Sequence, residues 1–363
     1  MRSRTVVGPS ALRPAWPTLV VLAGIAVLSA APAPGAGDEQ QRGVALIARA
    51  AQLENLLAPD TGRFRLRVHV KLFGLVDGTR EGEVLFLAAP PSQSFEVVRF
   101  PGYMEMTGLT DGQAWRKRNV IDKPFRFHEV SQLLDVASHL RLAPGGTVRS
   151  ISQQTVGGRP ASCVETGPTA ALWQRDIAGR AKVPEVGPWK DSRATLCFDA
   201  DTGALLSADY GKELPRFEYE GQVALGAKAY PKTMRCFEGK ELAVEATVVE
   251  LVADSGAQTE DGFAAAAGAD RWPACETPVP PSLVTKKDAG VDTYAKARRK
   301  FGTVIALAEV GTDGLIHDLA FIQAHGVLHD NVKKASKEWK YAPATCNGVP
   351  VPSEIYIAYT FMP

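Results

Sequence analysis

Five cysteines are the residues best able to do chemistry in this chain of 363 residues. Paired cysteines close disulfides, whereas clustered ones bind zinc or exchange electrons. The nearest two are 34 positions apart and no Cys-x-x-Cys occurs, which excludes zinc-ribbon and thioredoxin-like sites. We interpret them as structural disulfides with one spare thiol: Cys163, Cys197, Cys236, Cys275 and Cys346.

Two histidines, His325 and His329, have the i, i+4 spacing of metal ligands on a helix, but no third ligand is near them in sequence. We interpret them as exposed or capping residues, and we predict no metal and no cofactor. The sequence contains no nucleophile elbow, no phosphate-binding loop and no dinucleotide-binding glycine pattern. It therefore predicts a binding protein rather than an enzyme.

The first 36 residues have the layout of a secretory leader. Three arginines precede an apolar run from Leu19 to Ala31, and small residues and prolines follow as far as Ala36. The run is shorter than the roughly 20 residues that cross a bilayer as a helix. We predict a signal peptide, residues 1–36, that is cleaved between Ala31 and Asp38. The alternative is an inner-membrane anchor at residues 17–33.

Export to an oxidising compartment permits disulfides. Cys163 and Cys197 each lie in the middle of a predicted strand, and the two strands should be neighbours, so we predict a bridge between them. We predict a second bridge, Cys275–Cys346, between the end of a linker and the turn before the last strand. Cys236 is then the spare thiol.

The charges are balanced, with 41 Lys and Arg against 40 Asp and Glu, so no net field attracts nucleic acid. The length suits two domains after a leader. We predict no nucleic-acid partner.

Residues 38–253 predict one domain, in which the chain from about Asp60 to Val252 has the period-two alternation of a large antiparallel sheet. Helical spacing is confined to residues 39–57 and 127–142. The predicted fold class is α+β, with a large curved antiparallel sheet of nine to eleven strands and one or two helices. The predicted strands are 64–72, 84–88, 95–100, 103–109, 114–118, 162–166, 194–198, 204–210, 217–225, 232–237 and 244–252.

This domain resembles the LolA-like fold of periplasmic lipoprotein carriers. The resemblance rests on the segment Thr110–Trp115, with its Asp-Gly turn and tryptophan, and on the strand and turn Phe198–Gly203. It implies an apolar cavity, for which Tyr103 and Trp115 are candidate lining residues, with Trp173 and Trp189 as further aromatic candidates. The alternative is that these aromatic side chains fill the core of the sheet.

Residues 254–287 are rich in Ala, Gly, Asp and Pro and predict a linker. Residues 288–363 predict a small domain of helix, strand, strand, helix and strand. The predicted elements are a helix at 288–301, strands at 303–310 and 315–322, a helix carrying Leu328, Val332, Ala335 and Trp339, and a last strand at 354–361.

The small domain resembles the C-terminal domain of the TonB energy transducer. The shared features, in order, are Gly302-Thr303-Val304, the Asp313-Gly314 hairpin, Trp339 followed by Pro343-Ala344, and Asn347-Gly348 before the last strand. The resemblance implies that the last strand pairs with a peptide from an outer-membrane receptor or another envelope protein. The backbone of Glu354, Tyr356, Ala358 and Thr360 is the predicted binding edge. Alternatively, the large domain or a second copy of the chain covers this edge.

Two functions remain open. The first is an exported envelope protein that binds a partner peptide by strand addition, in a role related to TonB-type energy transduction. The second is a periplasmic carrier or sensor of an apolar, lipid-like ligand held by the large domain.

Overall fold

The computed structural model describes residues 5–11, 36–74, 78–120, 126–142, 147–167, 193–211, 215–254, 263–274, 279–290, 302–323 and 327–361. The described helices are α1 Ala36–Glu54, α2 Phe127–Leu134, α3 Val136–His139 and α4 Val327–Ser336. The described strands are β1 Thr5–Ala11, β2 Phe64–Leu72, β3 Arg80–Ala89, β4 Gln93–Phe100, β5 Tyr103–Thr110, β6 Gln113–Arg118, β7 Val148–Val156, β8 Arg159–Thr166, β9 Ala194–Asp199, β10 Leu205–Asp209, β11 Arg216–Leu225, β12 Lys228–Glu238, β13 Glu241–Ala253, β14 Asp270–Pro273, β15 Ser282–Thr285, β16 Gly302–Val310, β17 Ile316–Gln323, β18 Lys340–Ala342, β19 Ala344–Cys346, β20 Val349–Val351 and β21 Ser353–Phe361.

Thirteen strands form one antiparallel sheet in the order β14-β6-β5-β4-β3-β2-β13-β12-β11-β10-β9-β8-β7. Two meanders, β2 to β6 and β7 to β13, are joined where the first and last of these strands pair. The eleven predicted strands are all present, and the sheet gains β7 and β14 at its two edges. The predicted class of a large curved antiparallel sheet with few helices is confirmed.

The sheet buries the face that α1, α2 and α3 cover, which we call the inner face. Alternate residues of β2 are buried there, as the period-two pattern predicts. Arg65 and Arg67, on the opposite or outer face, contact Glu250, and Lys71 contacts Glu81. The inner face therefore carries the core, and the outer face of β2 carries cross-strand ion pairs.

The second predicted helix is interrupted. Residues 127–142 do not form one helix, because Asp135 leaves helical geometry at φ −91° and ψ 66°, between α2 and α3. The Asp135 N–H still donates a hydrogen bond to the Ser131 carbonyl. The Ser138 hydroxyl donates a hydrogen bond of 2.7 Å to the Asp135 carbonyl, so hydrogen bonds stabilise the break.

The described residues of the predicted linker include two strands. β14 pairs with β6 at an edge of the large sheet, and β15 pairs with β18 of the small domain. The Trp272 side chain of β14 packs against Ala344, Cys346 and Val351. This segment therefore contacts both domains.

The small domain has a four-stranded sheet in the order β1-β21-β16-β17, with α4 against β16 and β17. The predicted second helix and the predicted strands at 303–310, 315–322 and 354–361 are present as α4, β16, β17 and β21. Asn347 and Gly348 both have positive φ, 50° and 82°, as their hairpin turn requires. The predicted helix at 288–301 falls largely outside the described residues, and 288–290 are not helical.

Candidate functional site

The first candidate site is the backbone of β21. On one side it pairs with β16 over nine positions, from Ser353 opposite Val310 to Phe361 opposite Gly302. Ile355, Ile357 and Tyr359 are almost fully buried in the small-domain core. Positions 354, 356, 358 and 360, whose backbone forms the predicted binding edge, alternate with these buried residues along the strand.

The side of β21 away from β16, which we call the β21 edge, is not open in the full-length chain. Thr5–Ala11 pairs with it antiparallel, from Thr5 opposite Tyr359 to Ala11 opposite Ser353. The sequence predicts an edge that is open or is covered by the large domain or a second copy, whereas the structure covers it with residues 5–11 of the same chain, within the predicted leader. The β21 edge thus has the geometry to hold a strand of seven residues.

Contacts at Tyr359 fix one end of β21. The Ala289 N–H donates 2.9 Å to the Tyr359 hydroxyl, and the Lys286 ammonium lies 4.7 Å from the centre of its ring. The indole of Trp339 stacks on the same ring and donates 2.7 Å to the Lys287 carbonyl. Residues 286–289 therefore hold the end of β21 that contains Tyr359. This is the end of β21 that lies opposite Thr5, the first residue of β1.

The small domain also contacts the inner face of the large sheet. Both oxygens of Glu309, on β16, accept hydrogen bonds from the Arg116 guanidinium of β6, at 2.7 and 2.8 Å. Arg118 donates to Glu309 at 3.4 Å, and Leu307 is buried in the core of the large domain. Sequence reasoning missed this contact, because 193 positions separate Arg116 from Glu309 and neither belongs to a motif.

The second candidate site is a cavity of about 70 Å³ under the inner face. It is mainly apolar, and three carboxyl groups also line it. Its volume is below the roughly 300–1,000 Å³ of sites that enclose small-molecule ligands. A longer apolar chain can therefore enter only if a neighbouring element moves. The lining residues are Glu54–Leu57, Phe64, Leu66, Val84, Phe86, Glu96, Val98, Phe127, Val130, Ser131, Leu134–Ala137 and Tyr230.

Glu54 is a buried carboxyl group of this cavity. It ends α1 and is buried, with 2% of its surface exposed. Its oxygens accept only the Leu205 N–H, at 3.2 and 3.3 Å, among the hydrogen bonds of the described residues. Burial raises its pKa from 4.5 to about 8, against the lowering effect of this hydrogen bond. The cavity wall therefore contains a carboxyl group that is protonated at neutral pH.

The end of α1 that carries Glu54 is held in place by backbone contacts. Lys228 donates 3.0 Å to the Gln52 carbonyl, and Arg49 donates to the carbonyls of Asp201 and Thr202. Cations near a helix C-terminus are favoured by the helix dipole. Hydrogen bonds therefore connect the last turns of α1, next to the cavity, to β12 and to the turn after β9.

The two aromatic residues predicted to line a cavity are not brought together. Tyr103 is on the inner face and packs edge-on against Phe127, with ring centres 5.6 Å apart. Trp115 is on the outer face, where it stacks on Phe95 at 5.7 Å. Tyr103 thus touches a cavity residue without lining the cavity, and Trp115 is remote from it. Trp173 and Trp189 lie outside the described residues.

One predicted disulfide is confirmed. Cys163 and Cys197 are directly opposite in β8 and β9 and form a bridge with Cα atoms 4.0 Å apart. Cys346 is also disulfide-bonded, but its predicted partner Cys275 lies outside the described residues, so that pairing stays a prediction. Cys236 is a buried free thiol.

The histidine pair does not form a described site. His329 contacts the Asp330 carboxylate at 3.0 Å, and its ring packs on Phe321. His325 lies outside the described residues. None of the described helices is long and apolar enough to span a bilayer.

Comparison with known families identifies the small domain. Residues 293–363 match the Gram-negative bacterial TonB protein C-terminal family, which confirms the predicted resemblance. No curated protein matches the sequence.

Three solved structures similar to this chain share 8 to 13% sequence identity with it. A putative outer membrane lipoprotein-sorting protein domain from Vibrio parahaemolyticus is 12% identical, covering 63% of this chain and 97% of its own, with a TM-score of 0.38. A LolA superfamily protein from Nitrosomonas europaea is 8% identical, and the match covers 60% of this chain and 94% of that protein, with a TM-score of 0.38. A chain of the Pseudomonas aeruginosa MucA/MucB complex is 13% identical, and the match covers 88% of this chain and 94% of that chain, with a TM-score of 0.29.

Proposed function

We propose that this chain is an exported envelope protein that captures a segment of a partner protein by strand addition at the β21 edge. The observation that carries the proposal is the antiparallel pairing of Thr5–Ala11 with Tyr359–Ser353. Strand addition draws its affinity from main-chain hydrogen bonds, so an edge that holds one strand has the hydrogen-bonding groups to hold another. The match to the TonB C-terminal family supports the same use of the last strand.

Export would remove the present occupant. Thr5–Ala11 precedes the apolar run of the predicted leader and lies among its arginines. Positively charged segments stay on the cytoplasmic side when such a run inserts in the membrane. Cleavage, or an uncleaved anchor, would separate β1 from the exported small domain. The β21 edge would then be free for a peptide of an outer-membrane receptor or another envelope protein.

The faces of β21 indicate what such a segment needs. Residues opposite Ile355, Ile357 and Tyr359 would extend the buried apolar face of the small-domain sheet. A partner with apolar residues at alternate positions is therefore favoured. If residues 17–33 act as an anchor instead of a cleaved leader, the same capture step would suit TonB-type energy transduction.

A titration tests the proposal. The protein is produced from residue 37 onward, and a fluorescent peptide with the sequence of Thr5–Ala11 is added in trans. We expect saturable binding. Two further peptides carry N-methyl groups either on Val7 and Ala11 or on Val6, Gly8 and Ser10, which removes alternate donors; Pro9 has no amide hydrogen to replace. In an antiparallel ladder only one of these sets points at β21. One modified peptide should fail to bind and the other should bind; equal affinities for both would contradict strand addition.

A second candidate function is favoured by the cavity beside Glu54. Its mainly apolar lining on the inner face suits the alkyl part of a lipid-like ligand. Binding of the uncharged apolar probe N-phenyl-1-naphthylamine tests this function. We expect the cavity-filling substitution Ala137→Leu to abolish probe binding, and binding that survives this substitution would place the probe elsewhere.

A further inference from the structure

The contact of β16 with the inner face of the large sheet, which we call the seam, is largely polar, and a separate apolar contact between the domains packs Trp272 of β14 against Ala344, Cys346 and Val351. It consists of Glu105, Arg116 and Arg118 on the large sheet, and of Leu307 and Glu309 on β16. Among the described residues beyond Ala253, Leu307 is the only member of the large-domain core. Interfaces of this kind between domains of one chain permit relative motion unless they are large and apolar.

The closed seam is also incompletely hydrogen-bonded. The Nε of Arg116 and the Nη1 of Arg118 are buried without a hydrogen-bond partner in the described part of the chain. Arg118 Nη1 lies 4.0 Å from Glu105, too far for a hydrogen bond. Such groups regain water when a contact opens, which lowers the free-energy cost of opening. The bidentate Arg116–Glu309 pair opposes opening, together with the burial of Leu307 in the large-domain core. The Arg116 guanidinium also lies 5.6 Å from the centre of the Trp272 ring.

A short path of contacts links the seam to the cavity. Tyr103 lies at the seam, where burial, together with the carboxylates of Glu105 and Asp318, raises its pKa. Its ring packs edge-on against Phe127, the first residue of α2. Phe127 lines the cavity. A change at the seam therefore reaches the cavity wall through two aromatic rings.

We propose that the small domain is a reversible lid on the inner face, closed by the Arg116–Glu309 pair, and that its opening admits an apolar ligand to the cavity. The first half of this proposal is independent of any ligand. The second half rests on the second candidate function. Opening of the lid explains how a cavity of about 70 Å³ gains the volume that a lipid-like chain needs. Trp272, packed between the domains at β14, is the pivot.

Thiol labelling tests whether the lid opens. Leu307→Cys places a thiol in the seam, and Val332→Cys, in a separate variant, places one in the small-domain core. The buried native thiol of Cys236 reports unfolding of the large domain in both proteins. With iodoacetamide under non-reducing conditions, the seam thiol should react at least tenfold faster than the other two. Adding Glu309→Gln should raise the labelling rate of the seam thiol about tenfold further. The labelling rates of the small-domain thiol and of Cys236 should not change. Adding Glu338→Gln, at an exposed ion pair of the same domain, should change none of them.

Equal labelling rates for the three thiols would overturn the lid, because the seam would then open only with global unfolding. Fast labelling of Cys236 would reveal that Glu309→Gln unfolds the protein. In that case the experiment uses Arg116→Lys instead of Glu309→Gln. That substitution keeps the charge and loses the bidentate geometry, so a smaller acceleration is expected. If Arg116→Lys does not change the labelling rate of the seam thiol, the proposed role of the ion pair is wrong.

The rate of probe binding tests whether the lid controls the cavity. N-Phenyl-1-naphthylamine should bind the Glu309→Gln variant several-fold faster than the unmodified protein, and Ala137→Leu should block both. A failure of equilibrium binding to the unmodified protein would reject the cavity as a ligand site and leave the labelling result intact. Equilibrium binding with an unchanged rate in Glu309→Gln would overturn the second half of the proposal.

Discussion

The buried carboxyl group of Glu54 makes a quantitative prediction about stability and pH. Its pKa is raised from 4.5 to about 8 in the folded chain. Each pKa unit corresponds to about 1.4 kcal/mol. The folded state therefore holds its proton more tightly than the unfolded state does. The contribution to stability is fully present below about pH 4.5 and is lost as pH rises through about 8, a loss of roughly 5 kcal/mol from this group.

Glu54→Gln isolates this contribution. The amide oxygen can still accept the Leu205 N–H, but the side chain no longer ionises. We expect urea denaturation between pH 5 and pH 8.5 to show the unmodified protein losing several kcal/mol relative to the variant. Glu39→Gln, on the same helix, is the matched control and should follow the unmodified protein. Parallel pH profiles for Glu54→Gln and the unmodified protein would refute the reasoning.

Three further predictions concern the covalent structure. Non-reduced peptide mapping should link Cys275 to Cys346 and leave Cys236 as a free thiol; a bridge from Cys236 would contradict this. Replacing both Cys163 and Cys197 by serine should lower the free energy of unfolding by about 3 to 4 kcal/mol, as closure of a 34-residue loop predicts, whereas an unchanged denaturation midpoint would show no such effect. N-terminal sequencing of exported protein should give a start between Ala31 and Asp38, and a start at Met1 would favour the anchor.

Local patterns predicted most of the strands, because one face of each is buried and the side-chain period of a strand is two. The strand β7 was missed for the same physical reason. It is an edge strand whose residues are mostly exposed, so no apolar alternation marks it. The strand β14 was missed because four residues in a stretch rich in Ala and Gly carry no periodicity, and its pairing with β6 is long-range.

The candidate sites were predicted less well, because they depend on contacts between distant parts of the chain. Glu54 has the sequence appearance of an exposed residue on an amphipathic helix, yet it is buried in the folded chain, where it accepts the Leu205 N–H of β10. Trp115 and Tyr103 were grouped because both are aromatic, yet the strand register places them on opposite faces. The facing cysteines of β8 and β9 were predictable, because both strands belong to one meander.

The β21 edge and the seam meet at β16, and the charges there give their coupling a direction. Glu309 is directly opposite Glu354 in the pairing of β16 with β21, and like charges at facing positions destabilise a strand pair. The closed seam neutralises Glu309 through Arg116 and Arg118. When the seam opens, the two carboxylates face each other without that compensation, which loosens β21 at the end where Ser353 begins it. An added strand that holds β21 in place opposes this loosening. Because such coupling is reciprocal, strand capture at the β21 edge should favour the closed seam, and an open seam should weaken capture.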